Sequence, residues 1–185
     1  MALSLEQITG LFLSHGAVQY CAEAVTQQQH ALQCAHLAEQ AGASPELITA
    51  ALLHDLGHLI TLDKEKSAAD VDDLHQYLAI PFLRGVFPDA VLEPIRFHVD
   101  AKRYLCSADK SYFATLSTES KRSLTLQGGP FLPEDAMAFL RRPFAVDAIA
   151  LRRWDDLAKD PLAKPPAWAH YARVLERVSD SLLLA

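Results

Sequence analysis

The chain has 185 residues, half of them hydrophobic and 22% charged. That is globular composition, with length enough for a core that needs no disulfide or structural metal. The formal net charge of −6 argues against a nucleic-acid binder, although net charge says little about one basic pocket. The stretch before Ser14 carries Glu6 and no basic residue, unlike a secretory leader, and no apolar run approaches a membrane span. A soluble cytoplasmic protein is expected. Cys21, Cys34 and Cys106 have no CxxC spacing and read as small buried apolar residues of a reducing compartment.

In chain order, residues 5–14 read as a short helix ended near Gly16. Residues 18–41 read as one long Ala/Gln-rich helix that stops at Gly42. Ser44 followed by Pro45 and Glu46 is an N-cap with proline at the first helical position, and that helix runs to about Leu56, where Gly57 interrupts it. Residues 61–69 are polar and read as a loop; 72–84 and 89–98 read as helices. Ser117 caps a helix over 117–126, stopped by Gly128, Gly129 and Pro130. Helices over 133–141, 145–159 and 166–183 complete the pattern. Few runs alternate with period two and none is bounded like a hairpin. The expectation is an all-α fold in a single domain, 1–185.

The chemistry starts at Leu53-His54-Asp55-Leu56-Gly57-His58. An adjacent His-Asp pair offers a nitrogen donor beside a carboxylate, whose two oxygens can serve one metal or bridge two. The dipeptide alone is weak evidence. Here it ends an apolar helix, Ala50 to Leu53, that would bury it, and buried ionisable groups are costly unless paired or metal-bound. Tyr20, Glu23, Gln27 and His30 follow steps of three and four, so on a continuous helix they share a face, and that face is polar. Arg152 and Asp155 are one turn apart, although on spacing alone Asp155-Asp156 reads better as a solvated acidic pair. Lys102 lies one turn beyond His98. Were His98 and Asp155 metal ligands, these two cations would be aimed at the metal and would imply an anion between them. Ser120 falls in the first turn of its helix, where free N–H groups favour an anion or simply serve a cap. Alone, Lys102-Arg103 is equally a solvated charge pair, Tyr20 and Glu23 are surface residues, and Gln127 belongs to a helix stop. His15, His36 and His170 have no ligand-like context. Trp154, Trp168 and Phe82 read as core.

The order His30, His54-Asp55, Asp155 resembles the H…HD…D signature of HD-domain proteins, most of them metal-dependent phosphohydrolases. With His75 and His98 in between, the set is similar to the mixed-valent diiron oxygenases of that superfamily. These include myo-inositol oxygenase and the phosphonate-cleaving PhnZ and TmpB types. The resemblance to the PhnZ type covers nearly the whole chain and is carried by residues 20–23 with His30, 50–58, 98–105, 120–124, 127–130 and 152–155. The loop before His75 differs.

The resemblance implies two irons, Fe(II)/Fe(III). His30, His54, Asp55 and Asp155 would hold one, and Asp55, His75 and His98 the other, with Asp55 bridging. It places His58, Lys102, Ser120, Gln127 and Arg152 around a substrate phosphonate, with Tyr20 and Glu23 closing over the site and Glu23 facing the substrate's ammonium. The implied reaction is O2-dependent C–P cleavage of a 1-hydroxy-2-(amino or trimethylammonio)ethylphosphonate to phosphate and glycine or glycine betaine. An upstream 2-oxoglutarate-dependent hydroxylase would supply the substrate. Two rivals stay open on the sequence: an HD-type phosphohydrolase using the same ligands with a metal-bound hydroxide, and a non-catalytic HD domain. Intact ligand positions weigh against the last.

Overall fold

The computed structural model describes residues 2–61 and 74–183, and these form helices, turns and isolated bridges with no strand. In chain order the helices are α1 (Leu5–His15), α2 (Gln27–Gln40), α3 (Pro45–Leu53), α4 (Leu56–Thr61), α5 (His75–Leu78) and α6 (Ile80–Leu83). They continue with α7 (Asp89–Ala108), α8 (Lys110–Thr115), α9 (Thr118–Leu126), α10 (Pro133–Leu140), α11 (Ala145–Leu157) and α12 (Trp168–Leu183). The fold is all-α, as expected.

Helix α3 organises the rest. Each residue from Leu47 to Leu53 is buried. A helix apolar on every side must be surrounded, and α2, α7, α11 and α12 pack around it. Leu52 and Leu53 are at most 1% exposed, and burying each stabilises the fold by roughly 1.5–3 kcal/mol. Helix α12 contributes Tyr171, Val174, Leu175 and Val178, the i, i+3, i+4, i+7 stripe of an amphipathic helix. Trp154 and Trp168 pack against the same core. No helix of the described residues is long and apolar enough to cross a membrane.

Several boundaries differ from the sequence reading, each for a local reason. The helix expected over 18–41 begins at Gln27. Thr26 caps it, with the Thr26 hydroxyl on the Gln29 N–H and the Gln29 side chain on the Thr26 N–H. This reciprocal pair was legible as Thr-x-x-Gln, and it outweighs the helix propensity upstream. Residues 18–26 instead fold back, with an isolated bridge between Gln19 and Thr26 and the Tyr20 N–H on the Val25 carbonyl. Tyr20 and Glu23 therefore do not share a helix face with His30. Cys21, expected to be buried, is exposed in this turn at φ +48°, whereas Cys34 and Cys106 are buried.

The helix expected over 72–84 is two short turns, α5 and α6, separated at Ala79 and entered through Leu74 at φ +51°. Pro81 has no N–H to continue the ladder and sits in the first turn of α6 instead. Of the loop expected over 61–69, Thr61 ends α4 instead, and residues 62–69, like 72 and 73, lie outside the described residues. Helix α7 runs on past His98 to Ala108, which puts Lys102 on the same helix as His98. Helix α8 was not anticipated.

Candidate metal centre

The six expected ligands come from five places in the chain. His30 stands in the first turns of α2. His54 caps the C-terminus of α3 and Asp55 fills the turn before α4, so the apolar α3 carries the His-Asp pair into the core. His75 opens α5, His98 lies mid-way along α7, and Asp155 sits near the end of α11. All six are buried, with Asp55 and His75 the most accessible at 7% and 8%.

Their donor atoms fall into two groups that share Asp55. The Nε2 atoms of His30 and His54 are 3.3 Å apart and lie 3.6 and 3.4 Å from Asp55 Oδ2. Asp155 reaches the same place, with Oδ1 3.5 Å from His30 Nε2 and Oδ2 3.9 Å from His54 Nε2. On the other side, His75 and His98 bring their Nε2 atoms to 3.1 Å, at 3.3 and 3.8 Å from Asp55 Oδ1. Two donors about 2.1 Å from one ion stand roughly 3.0–3.4 Å apart when their bonds subtend 90–110°. Both groups are close to that spacing.

The protonation pattern also fits metal ions. His30 Nδ1 faces the Ala158 carbonyl at 2.9 Å, His54 Nδ1 the Ala51 carbonyl at 3.0 Å, and His98 Nδ1 the Ile95 carbonyl at 2.7 Å. A carbonyl only accepts, so each Nδ1 carries the proton and each Nε2 turns a lone pair inward. Facing lone pairs repel unless a cation lies between them. Asp55 Oδ2 and Asp155 Oδ1 are buried acceptors without a hydrogen-bond partner among the described residues, an arrangement that costs free energy unless something positive satisfies them.

The electrostatics agree. Burial pushes His30 down to about 4 and holds His98 well below its usual value, so both are neutral ligands. Burial opposes the Asp155 carboxylate, but the Arg152 guanidinium holds it well below the carboxylate range. His54 goes the other way: burial opposes its protonation, but Asp55 outweighs it and raises His54 above its usual value. That charge in turn, with His75, holds Asp55 well below the carboxylate range against burial, so a proton stands there where an ion would. Cys34, read from the sequence as plain core, places Sγ 3.7 Å from His30 Nε2, as a further donor beside His30 and His54 in the first group. Burial, then the Asp155 and Asp55 charges, hold its thiol protonated, which leaves the two carboxylates as the better donors.

Around these groups the other expected residues are placed as follows. His58 Nε2 is 4.0 Å from Asp55 Oδ1, and its ring stacks on His75 at 4.2 Å. Tyr20 stacks on His30 with ring centroids 3.9 Å apart, so the fold-back segment reaches the centre by a route other than a shared helix face. Lys102 is 2% exposed and donates to Ser123 Oγ at 2.7 Å. Ser120 is buried on α9, and Ser117 Oγ accepts its N–H. Gln127, the C-cap of α9, has a buried side-chain oxygen without a partner among the described residues.

Arg152 is less free than the spacing suggested. Its guanidinium holds Asp155 Oδ2 at 2.7 Å and also pairs with Asp156, which in turn accepts from the Tyr112 hydroxyl. Asp156 is therefore no solvated acid; it stands i+4 from Arg152, the spacing of a helical ion pair. Lys159 was also missed. It follows Asp155 by four residues, as Lys102 follows His98, and it pairs with Glu23 at 2.9 Å.

Gly57 explains how His75 arrives. A Cβ at Gly57 would lie 2.2 Å from the His75 carbonyl oxygen and 2.9 Å from its Cα. Only a residue without a side chain lets α5 approach α4 this closely. Gly57→Ala is expected to push His75 away from Asp55, costing about 1–3 kcal/mol of overpacking. Metal should then be lost from the His75/His98 group and kept at His30/His54. Metal analysis checks this; an unchanged content would show that His75 needs no such approach.

A helical protein with two buried His/Asp groups joined by one carboxylate is of a metal-binding class. Residues 28–159 match the model of the HD domain, and the chain belongs to the HD-domain family. It is 44% identical over 176 residues to the hydroxymethylphosphonate dioxygenase of Gimesia maris, covering 92% of this chain and 87% of the relative. It is 38% identical over 177 residues to the glycine-betaine-forming [1-hydroxy-2-(trimethylamino)ethyl]phosphonate dioxygenase of Leisingera caerulea, covering 95% and 90%. An uncharacterised protein of Acanthamoeba polyphaga mimivirus is 31% identical over 160 residues, covering 84% of this chain and 73% of the relative.

Proposed function

We propose that this protein is a dioxygenase that cleaves the C–P bond of a small 1-hydroxyphosphonate. The observation that carries the reading is the division of Asp55 between two histidine groups, with Lys102 buried one turn along α7 from His98. The names of the two well-covered relatives supply the chemistry to which such a centre is suited. The substrate class is R–CH(OH)–PO3, with R an aminomethyl or trimethylammoniomethyl group or hydrogen. One O2 is consumed, the C–P bond breaks, C1 leaves as a carboxylate and phosphorus leaves as phosphate, so atoms and electrons balance without a further reductant. The aminated substrates give glycine or glycine betaine. A hydroxylase acting on the parent phosphonate, of the 2-oxoglutarate-dependent kind, would supply the 1-hydroxyl.

The donor set is imidazole and carboxylate, which suits non-haem iron. His30, His54, Asp55 and Asp155 would hold one iron and Asp55, His75 and His98 the second, as an Fe(II)/Fe(III) pair. Bound there, the pair would supply the redox chemistry that consumes O2. The chain's own side chains do the rest. Lys102, Ser120, Gln127 and His58 bind and orient the phosphonate, Arg152 assists from behind Asp155, and Tyr20 and Glu23 cover the His30 side.

The test is phosphate release from 2-amino-1-hydroxyethylphosphonate and from hydroxymethylphosphonate by iron-loaded protein, with and without O2. Release that depends on O2 and consumes it mole for mole is expected. Release that continues without O2 would replace this reading with a phosphohydrolase.

Lys102 gives the reaction a pH dependence. Burial, then the neighbouring Arg152 charge, push its ammonium down to about 7. Only the charged form attracts the phosphonate, so KM is expected to rise as the pH climbs above about 7. The rise approaches tenfold per pH unit where the proton must be taken up on binding. In Lys102→Met this limb should flatten while metal content is kept. A parallel KM–pH profile in the variant would remove Lys102 from the anion site.

A further inference from the structure

Lys159 lies in the turn after α11, and its ammonium is held on three sides. Nζ donates to Glu23 Oε1 at 2.9 Å, to Ser117 Oγ at 3.3 Å and to Ser120 Oγ at 3.3 Å, so its three protons have three acceptors. It also stands 5.9 Å from the centre of the Tyr20 ring, which itself covers His30. The pair is not a surface ornament: the Lys159 and Glu23 side chains are 15% and 16% exposed. Burial opposes the Glu23 carboxylate, but the bonds from Lys159 and Ser117 hold its carboxyl below the ordinary value, so it is ionised and matched.

The placement has a consequence for selectivity. Glu23 follows Tyr20 in the fold-back segment, with its N–H on the Tyr20 carbonyl, and Ser120 is the hydroxyl assigned above to the phosphonate. Lys159 bridges the two. A Glu23 carboxylate with no partner would repel any phosphonate and would call for a cation on the substrate to offset it. With Lys159 in place the two charges cancel, and this side of the centre is neutral but polar. Such surroundings admit a substrate with no cation and reward an ammonium only modestly, because that ammonium must compete with Lys159 for Glu23.

We propose that Lys159 is a specificity-determining residue: by neutralising Glu23 it sets the preference between 1-hydroxyphosphonates with and without a cationic substituent on C2. The proposal rests on the function proposed above and adds to it the residue that governs substrate range.

The experiment measures kcat/KM for 2-amino-1-hydroxyethylphosphonate and for hydroxymethylphosphonate in four iron-loaded proteins. These are the parent, Lys159→Met, Glu23→Gln and the double variant. Lys159→Met unmasks Glu23 and should raise the amino-to-unsubstituted ratio roughly tenfold or more, the scale of one charge-assisted contact. Glu23→Gln unmasks Lys159 and should lower the ratio by a similar factor. The double variant should return close to the parent ratio, because it removes both charges, and it also leaves no unpaired charge if Lys159→Met alone folds poorly. A purely structural ion pair would lower both substrates together and leave the ratio unmoved. That result, or a double variant that stays as low as Glu23→Gln, overturns the role of Lys159 while leaving C–P cleavage intact. Absence of turnover of both phosphonates by the parent protein would instead overturn the proposed function, and this inference with it.

Discussion

Asp55→Ala is expected to lose both metal ions together and with them all O2-dependent phosphate release. Among the described residues Asp55 is the one carboxylate that faces both groups: Oδ2 toward His30 and His54, Oδ1 toward His75 and His98. Removing a ligand from one group would leave the other intact; removing Asp55 takes a donor from each. It also removes the negative charge that lets four buried imidazoles point their Nε2 atoms at a shared centre. Asp155→Ala is the control, since Asp155 faces only His30 and His54. It should lower the metal content by half at most. Metal analysis and the optical or magnetic spectrum of the iron-loaded proteins separate the two cases. Full metal content in Asp55→Ala would end the bridging assignment, and equal losses in both variants would mean the two groups are not independent.

Arg152→Ala should be the most destabilising change at this site. The side chain is 5% exposed and holds Asp155 at 2.7 Å while pairing with Asp156, which also accepts from Tyr112. Taking away one partner of a buried pair leaves uncompensated charge, at a cost of about 3–5 kcal/mol. For a chain of this length that corresponds to a fall in Tm of roughly 10 °C. Asp155 would also lose the contact that orients it, and loss of such an orienting partner weakens metal affinity by about 10–100-fold. Lys102→Met should behave differently, because Lys102 bonds Ser123 and no metal-group carboxylate; it should keep its metal and its Tm and lose only affinity for the phosphonate. Thermal unfolding and metal titration of the two variants test the contrast. If Arg152→Ala kept both Tm and metal affinity while losing phosphonate binding, Arg152 would be an anion contact alone.

The all-helical class and the His54-Asp55 pair were legible because their signals are local, whereas His75, His98 and Asp155 were picked out by the resemblance. Apolar residues recur at helical spacing, Ser44-Pro45 and Ser117 mark helix starts, and the His-Asp pair ends an apolar helix that had to be buried. The Thr26–Gln29 cap is equally local, but the Ala/Gln-rich propensity around it predicts one helix over 18–41, which includes Tyr20 and Glu23 although they precede α2. Their closeness to His30 comes from a loop that folds back, which no periodicity records. The same limit applies to charge. Sequence spacing offers Arg152, Asp155, Asp156 and Lys159 as neighbours on one helix and the turn that follows it. Arg152 meets Asp155 and Asp156 at i+3 and i+4 on the same helix, but only the packing of α11 against α2 and the segment before it decides that Lys159 finds Glu23, 136 positions away. The sequence by itself determined which donor atoms this protein has and which helices carry them. The tertiary structure alone decided which oxygen of Asp55 faces which histidines and which cation is already matched, because those depend on distances between elements remote in the chain.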